Sequence, residues 1–88
     1  MRVTVQLPTV LAVGHARTAT VDARTVRDAL KQLDKKYPGV GEHLFEGRRL
    51  RPLVRIAVGE DILERERELD RPVRAGETIT VFQAIAGG

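Results

Sequence analysis

Between Thr25 and Gly39 the apolar residues of this 88-residue chain change their period. Val26, Ala29, Leu30, Leu33 and Tyr37 fall three or four apart and form one stripe on a helix. On both sides of that segment the period is two. Val3, Val5 and Leu7 alternate with Arg2, Thr4 and Gln6 until Pro8 stops the run. Ala19 and Val21 share one side of "ARTATVD". Val54, Ile56 and Val58 alternate with Arg55 and Ala57, and Ile79 and Val81 alternate with Thr78, Thr80 and Phe82. One helix and several half-buried strands hide their apolar sides most economically as a single sheet with the helix packed across one face. The expectation is an α+β fold, with a mixed sheet of four to five strands and one main helix.

The helix boundaries are written locally. Thr25 with Asp28 three residues later makes a capping-box-like start. Lys35 and Lys36 suit the negative end of the helix dipole, and Pro38-Gly39 ends the element. The first two strands read as a hairpin with a long connection over Val10 to Arg17. The helix is then expected to cross over, right-handed, to a strand pairing beside the first. In "VGEHLFEGRRLRP", Leu44 and Phe45 anchor a short helical turn, and the Arg-rich part reads as an exposed loop. Gly59-Glu60-Asp61 turns the chain. "ILERERELDRPVRAG" is mostly polar, with Ile62, Leu63, Leu69 and Val73 as footholds in the core.

A domain of this size buries only about 60–65% of the surface its unfolded chain exposes. There is no cysteine to staple it, so the core must be well packed. Zero Cys also excludes a thiol nucleophile, a redox pair and Cys-based metal binding. No apolar run reaches the roughly 18 residues of a membrane span, and "MRVTVQLP" lacks a signal-peptide core. These features lead us to expect a cytoplasmic protein without a membrane partner.

Net charge is +3, and twelve of the fifteen basic residues are Arg. The pI near 10 raises a nucleic-acid-binding module as one reading. Two features count against it. The charges are mixed in sign, as in "ERERELDR", and the only aromatics are Tyr37, Phe45 and Phe82, too few for a base-stacking platform. His15 and His43 have no third group to complete a triad or a zinc site. Gly14, Gly39, Gly41, Gly47 and Gly59 are scattered turn glycines with no phosphate-binding spacing. No catalytic apparatus of its own is expected, and no bound cofactor or metal. The chain reads as a carrier, a subunit or a binding module.

Two features remain to carry a function. On the alternation above, Phe82 shares the outer face with Thr80, Arg55, Ala57, Thr4 and Arg2, where an exposed aromatic is an interface anchor. The sequence also ends "QAIAGG", directly after the last strand. Residues 85 to 88, fully extended, reach about 13 Å. That suffices to place a carboxylate inside another protein's pocket, and glycine brings no side chain to block the approach. A carboxylate is a poor electrophile until attack on ATP converts it to an acyl adenylate. The expected division is a domain over residues 1–83 and a flexible tail over residues 84–88.

The element order, "RAGETITVF" and the terminal "AIAGG" resemble the ubiquitin-like β-grasp sulfur carriers. This superfamily includes the small subunit of molybdopterin synthase and the carrier of thiamine biosynthesis. "VTVQLPTVL" and the A-hydrophobic-A-G-G ending are most similar to the carriers that work with a cysteine synthase in actinobacteria. Gln83-Ala84 stands where the molybdopterin branch often carries prolines, which counts against that branch. The resemblance implies that an adenylating enzyme of the ubiquitin-activating type, with or without a rhodanese sulfurtransferase domain, uses ATP and Mg²⁺ to activate Gly88. It implies that Gly88 becomes a thiocarboxylate and that Gly87, Ala86, Ile85 and Ala84 enter a partner's active site. A sulfur-accepting biosynthetic enzyme would receive the sulfur, for cysteine or a thiosugar before molybdopterin or thiamine. Phe82 matches a position that contacts the activating enzyme in the molybdopterin branch, with Arg55 beside it. The alternative is a ubiquitin-like modifier conjugated to other proteins through Gly88.

Overall fold

A computed structural model describes residues 1–8 and 17–83. Most of the expected connection, His15 included, and the whole tail lie outside the described residues.

The alternating stretches become strands where expected. Strand β1 (Arg2–Gln6) pairs antiparallel with β2 (Thr18–Asp22). Helix α1 (Val26–Lys36) follows, and its buried side is Val26, Ala29, Leu30 and Leu33, with Tyr37 half-buried after it. The start of α1 is a variant of the expected cap. The Thr25 hydroxyl accepts from the Asp28 backbone N–H at 3.1 Å, while the Asp28 carboxylate accepts from the Arg24 N–H at 3.0 Å. One of the open donors of the helix start, the Asp28 N–H, and the N–H of the residue before the cap are thereby satisfied. At the other end Gly39 takes a φ of 104°, a left-handed conformation open to glycine.

A short helix α2 (Val40–Leu44) comes next, and Leu44 is buried as expected. The Arg-rich stretch is not a free loop. It forms a small hairpin of β3 (Phe45–Glu46) and β4 (Arg49–Leu50), turned at Gly47 with φ 66°. Side chains from elsewhere pin it: Arg27 Nη1 donates to the Arg48 carbonyl at 3.0 Å, and Glu66 Oε1 accepts from the Leu50 N–H at 2.8 Å. Those contacts span 21 and 16 residues of sequence, so local pattern could not announce them.

Strand β5 (Val54–Val58) and the three-residue β6 (Asp61–Leu63) form a second hairpin; a 3-10 turn (Glu66–Asp70) and the last strand β7 (Thr78–Gln83) complete the chain. The main sheet has five strands in the order β2-β1-β7-β5-β6. The neighbour of β1 is therefore the final strand, in parallel. The strand that follows the helices, β5, pairs instead with β7, antiparallel. The strand that pairs beside the first after the helix is thus the last one, β7, and β5 lies one place further out.

The core lies between the sheet and α1. Val3, Val5, Val26, Leu30, Leu33, Leu44, Ile56, Leu69, Ile79 and Val81 are its largest fully enclosed members, with Val40. Leu63, Leu69 and Val73 are buried as expected, but Ile62 is 57% exposed. Register decides this. Leu63 pairs with inward Ile56, so Ile62 pairs with Ala57 and shares its outward face. Ala57 itself faces out yet is only 8% exposed, a short side chain between Ile62 on one strand and Thr80 on the other. No helix among the described residues is long and apolar enough to cross a membrane.

Candidate functional site

β7 sets the geometry of the site. It pairs with β1 on one side and β5 on the other, so its backbone is held along its length. Ile79 and Val81 point into the core, at 0% and 2% exposure. Thr78, Thr80 and Phe82 alternate to the outer face. Gln83 ends the strand, which places the residue before Ala84 at the centre of one sheet edge, not at a corner. Gln83, the last described residue, therefore ends the central strand of the sheet.

Phe82 is half-buried and lies directly across from Arg55 of β5. Cross-strand neighbours on one face sit about 4.5–5.5 Å apart at Cβ. The Arg55 guanidinium turns back along its own strand, where Nη1 donates to the Pro52 carbonyl at 2.6 Å and the Val54 carbonyl at 3.1 Å. Those bonds occupy one nitrogen and leave the other donors of the fork available. On its other flank Phe82 borders a shallow depression with Gln6, Leu7, Pro8, Arg17 and Thr80. That depression sits where β1 and β7, running in parallel, both end.

The next row across the outer face reads Ile62, Ala57, Thr80, Gln6, Thr18. Ile62 is the residue that sequence reasoning placed wrongly, in the core. It joins Phe82 as a large apolar group on this face, with Thr and Arg around them. The available signal was the pairing register of "EDIL" against "IAV", which a single sequence does not state. His43, the histidine within the described residues, is exposed on α2, as expected of a surface residue. Among the described residues no group of three or more His, Asp or Glu side chains could hold a metal. Ala84, Ile85, Ala86, Gly87 and Gly88 lie outside the described residues.

A sheet with the first and last strands side by side in its centre, crossed by one helix, defines the ubiquitin-like β-grasp class. Similarity to known proteins makes the assignment narrower. The ThiS family model matches residues 10–88. The chain belongs to the ThiS family, and the match extends through the terminal Gly-Gly. It is 27% identical over 93 residues to the sulfur carrier protein CysO of Mycobacterium tuberculosis, with the whole of both chains covered. The CysO complex with BexX from Amycolatopsis orientalis contains a chain of the same fold. That chain is 25% identical, with a TM-score of 0.82 over 98% of this chain and 99% of that one. The small archaeal modifier protein 1 of Methanosarcina acetivorans shares the fold at 22% identity, with a TM-score of 0.81 over 99% of this chain and 96% of that one.

Proposed function

We propose that this protein is a sulfur carrier whose Gly88 carries the sulfur as a terminal thiocarboxylate. The observation that supports this most is the family match running to a Gly-Gly that follows, in sequence, the central strand of the sheet. The domain is the handle and the tail is the reactive arm. It acts as a co-substrate of two enzymes and supplies no catalytic group of its own.

The chemistry needs two exchanges at one carbon. The Gly88 carboxylate attacks the α-phosphorus of ATP, and pyrophosphate leaves with Mg²⁺ balancing its charge. The resulting acyl adenylate carries AMP as a good leaving group. Sulfide from a donor then attacks the carbonyl carbon and AMP departs, so that one oxygen has been replaced by sulfur. Both ATP and Mg²⁺ belong to the activating enzyme. Phe82 and Arg55 dock the outer face on that enzyme, which aligns the tail with its active site. Gly87, Ala86, Ile85 and Ala84 thread the channel, where side chains larger than these would meet the walls. The acceptor is a biosynthetic enzyme that forms cysteine or another sulfur-containing product, and the place of work is the cytoplasm.

Intact-mass analysis after incubation with a cognate adenylating enzyme, ATP and a sulfur donor tests the reading. The expected product has sulfur in place of one oxygen at Gly88, located by fragmentation of the C-terminal peptide. An enzyme that forms the adenylate but never yields the thiocarboxylate sinks the proposal. Isopeptide remnants of "AIAGG" on lysines of cellular proteins, without thiocarboxylate, would establish the modifier reading in its place.

A further inference from the structure

A groove opens on the helix side of the sheet, away from Phe82 and Arg55. One wall is α1, carrying Arg27, Lys31 and Lys35; the opposite wall is the β3–β4 hairpin with Phe45 and Arg48. Its volume is about 810 Å³. The side chains that line it are unequal in charge. Four are cationic and two, Asp34 and Asp70, are carboxylates.

Both carboxylates are committed. Asp70 accepts from Arg27 Nε at 3.1 Å. Asp34 Oδ1 accepts from the backbone N–H of Gly39 at 3.2 Å and of Gly41 at 2.8 Å, which fixes α2 against α1. Among the described residues, Lys31, Lys35 and Arg48 have no carboxylate within ion-pairing distance. Three free cations thus converge on one concave surface, and Phe45, half-buried, offers it an apolar floor. Cations on convex surface are ordinarily dispersed in water; these are held on two separate elements by the Arg27 contacts with Asp70 and the Arg48 carbonyl.

We propose that this groove docks an acidic segment of a partner protein, with two or more carboxylates flanking one large apolar side chain. Charge complementarity selects the carboxylates, and Phe45 selects the apolar residue. A nucleic acid fits less well, because a strand that tracks a groove needs repeated aromatic faces for its bases, and Phe45 is the one aromatic in the lining. The surface is separate from the outer face of the sheet, so it stands whether or not the sulfur-carrier reading does. Two partners could engage the chain at the same time.

Titration of the isotope-labelled full chain with two synthetic peptides tests this by amide shifts. The peptides have equal length and equal Glu content; one carries a central Leu and the other Ser. The expected result is saturable shifts at Lys31, Lys35, Phe45, Gly47 and Arg48, none at Arg55, Ile62 or Phe82, and tighter binding of the Leu peptide. Lys35→Glu with Arg48→Glu should weaken that binding about tenfold or more, with a fall in melting temperature of only a few degrees, because both side chains are exposed and the loss is limited to the favourable place of Lys35 at the end of the α1 dipole. Should that pair unfold the chain, Lys31→Gln with Lys35→Gln serves the same purpose. Shifts on the outer face, equal binding of the Ser peptide, an unaltered affinity in the charge variants, or displacement by a single-stranded oligonucleotide of equal charge would each overturn it.

Discussion

Ile79 and Phe82 are three residues apart on one strand and face opposite ways, so exchanging each for alanine should separate folding from docking. Ile79 is fully enclosed. Ile79→Ala removes buried methyl groups and leaves a cavity, which costs about 2–5 kcal/mol. A domain of this length has a total stability of about 4–13 kcal/mol, so the loss runs from about a sixth of it to all of it. At about 4–8 °C per kcal/mol, the melting temperature should fall by roughly 8–40 °C. Phe82 keeps part of its ring accessible on the outer face. Phe82→Ala therefore forfeits only part of the roughly 1.5–3 kcal/mol of full burial, about 1–2 kcal/mol.

The ranking should reverse in docking. A partially exposed aromatic that becomes covered contributes about 1–2 kcal/mol to binding, or roughly 5–30-fold in Kd. Urea unfolding gives the first pair of values, and calorimetric titration of a catalytically dead activating enzyme gives the second, at a temperature where both variants are folded. Ile79→Ala should change Kd less than about threefold, since its side chain never reaches the partner. If the two variants lose stability and affinity in the same proportion, Phe82 is a core residue and the docking argument fails.

Deleting Gly88 should abolish adenylation, read as ATP–pyrophosphate exchange, while the urea midpoint stays unchanged; a large stability loss would contradict a tail that follows the folded strand. Thr25→Ala removes the hydroxyl that accepts from Asp28 N–H and should cost about 1 kcal/mol, with Thr25→Asn close to neutral in the same melt. Gly41→Ala would set a Cβ 2.9 Å from the Asp34 carboxyl carbon and displace the acceptor of two backbone N–H groups. A loss of about 1–3 kcal/mol is expected, and in an Asp34→Ala background the same Gly41→Ala change should cost much less. Ile62→Ser should leave stability within about 1 kcal/mol, because the side chain is mostly exposed; a core-sized loss would mean that β6 pairs in another register.

Periodicity and capping chemistry make most elements readable from the chain's own residues. The stripe Val26, Ala29, Leu30, Leu33 has one helical solution, and Thr25 and Gly39 mark its ends by side-chain and backbone preferences that act within a few residues. The alternation in "TITVF" assigned Phe82 to the outer face for the same reason: a strand's side chains alternate whatever it pairs with. The Gly-Gly ending that the proposed chemistry uses is likewise a feature of the chain and not of its packing.

Pairing partners were not legible, because they depend on residues far apart. Nothing within β5 states that it joins β7 and not β1, and nothing in "EDIL" states that Ile62 faces water while Leu63 faces the core. Both follow from which register buries the most apolar surface once all five strands are present. The Arg-rich stretch read as a loop because the groups that hold it, Arg27 and Glu66, lie 16 or more residues away. Sequence alone therefore determined most of the elements, the outward aromatic and the Gly-Gly ending on which the proposed chemistry rests. Only the tertiary structure decided that β7, which ends at Gln83, is the central strand, and that α1 and the β3–β4 hairpin close a basic groove on the helix side of the sheet.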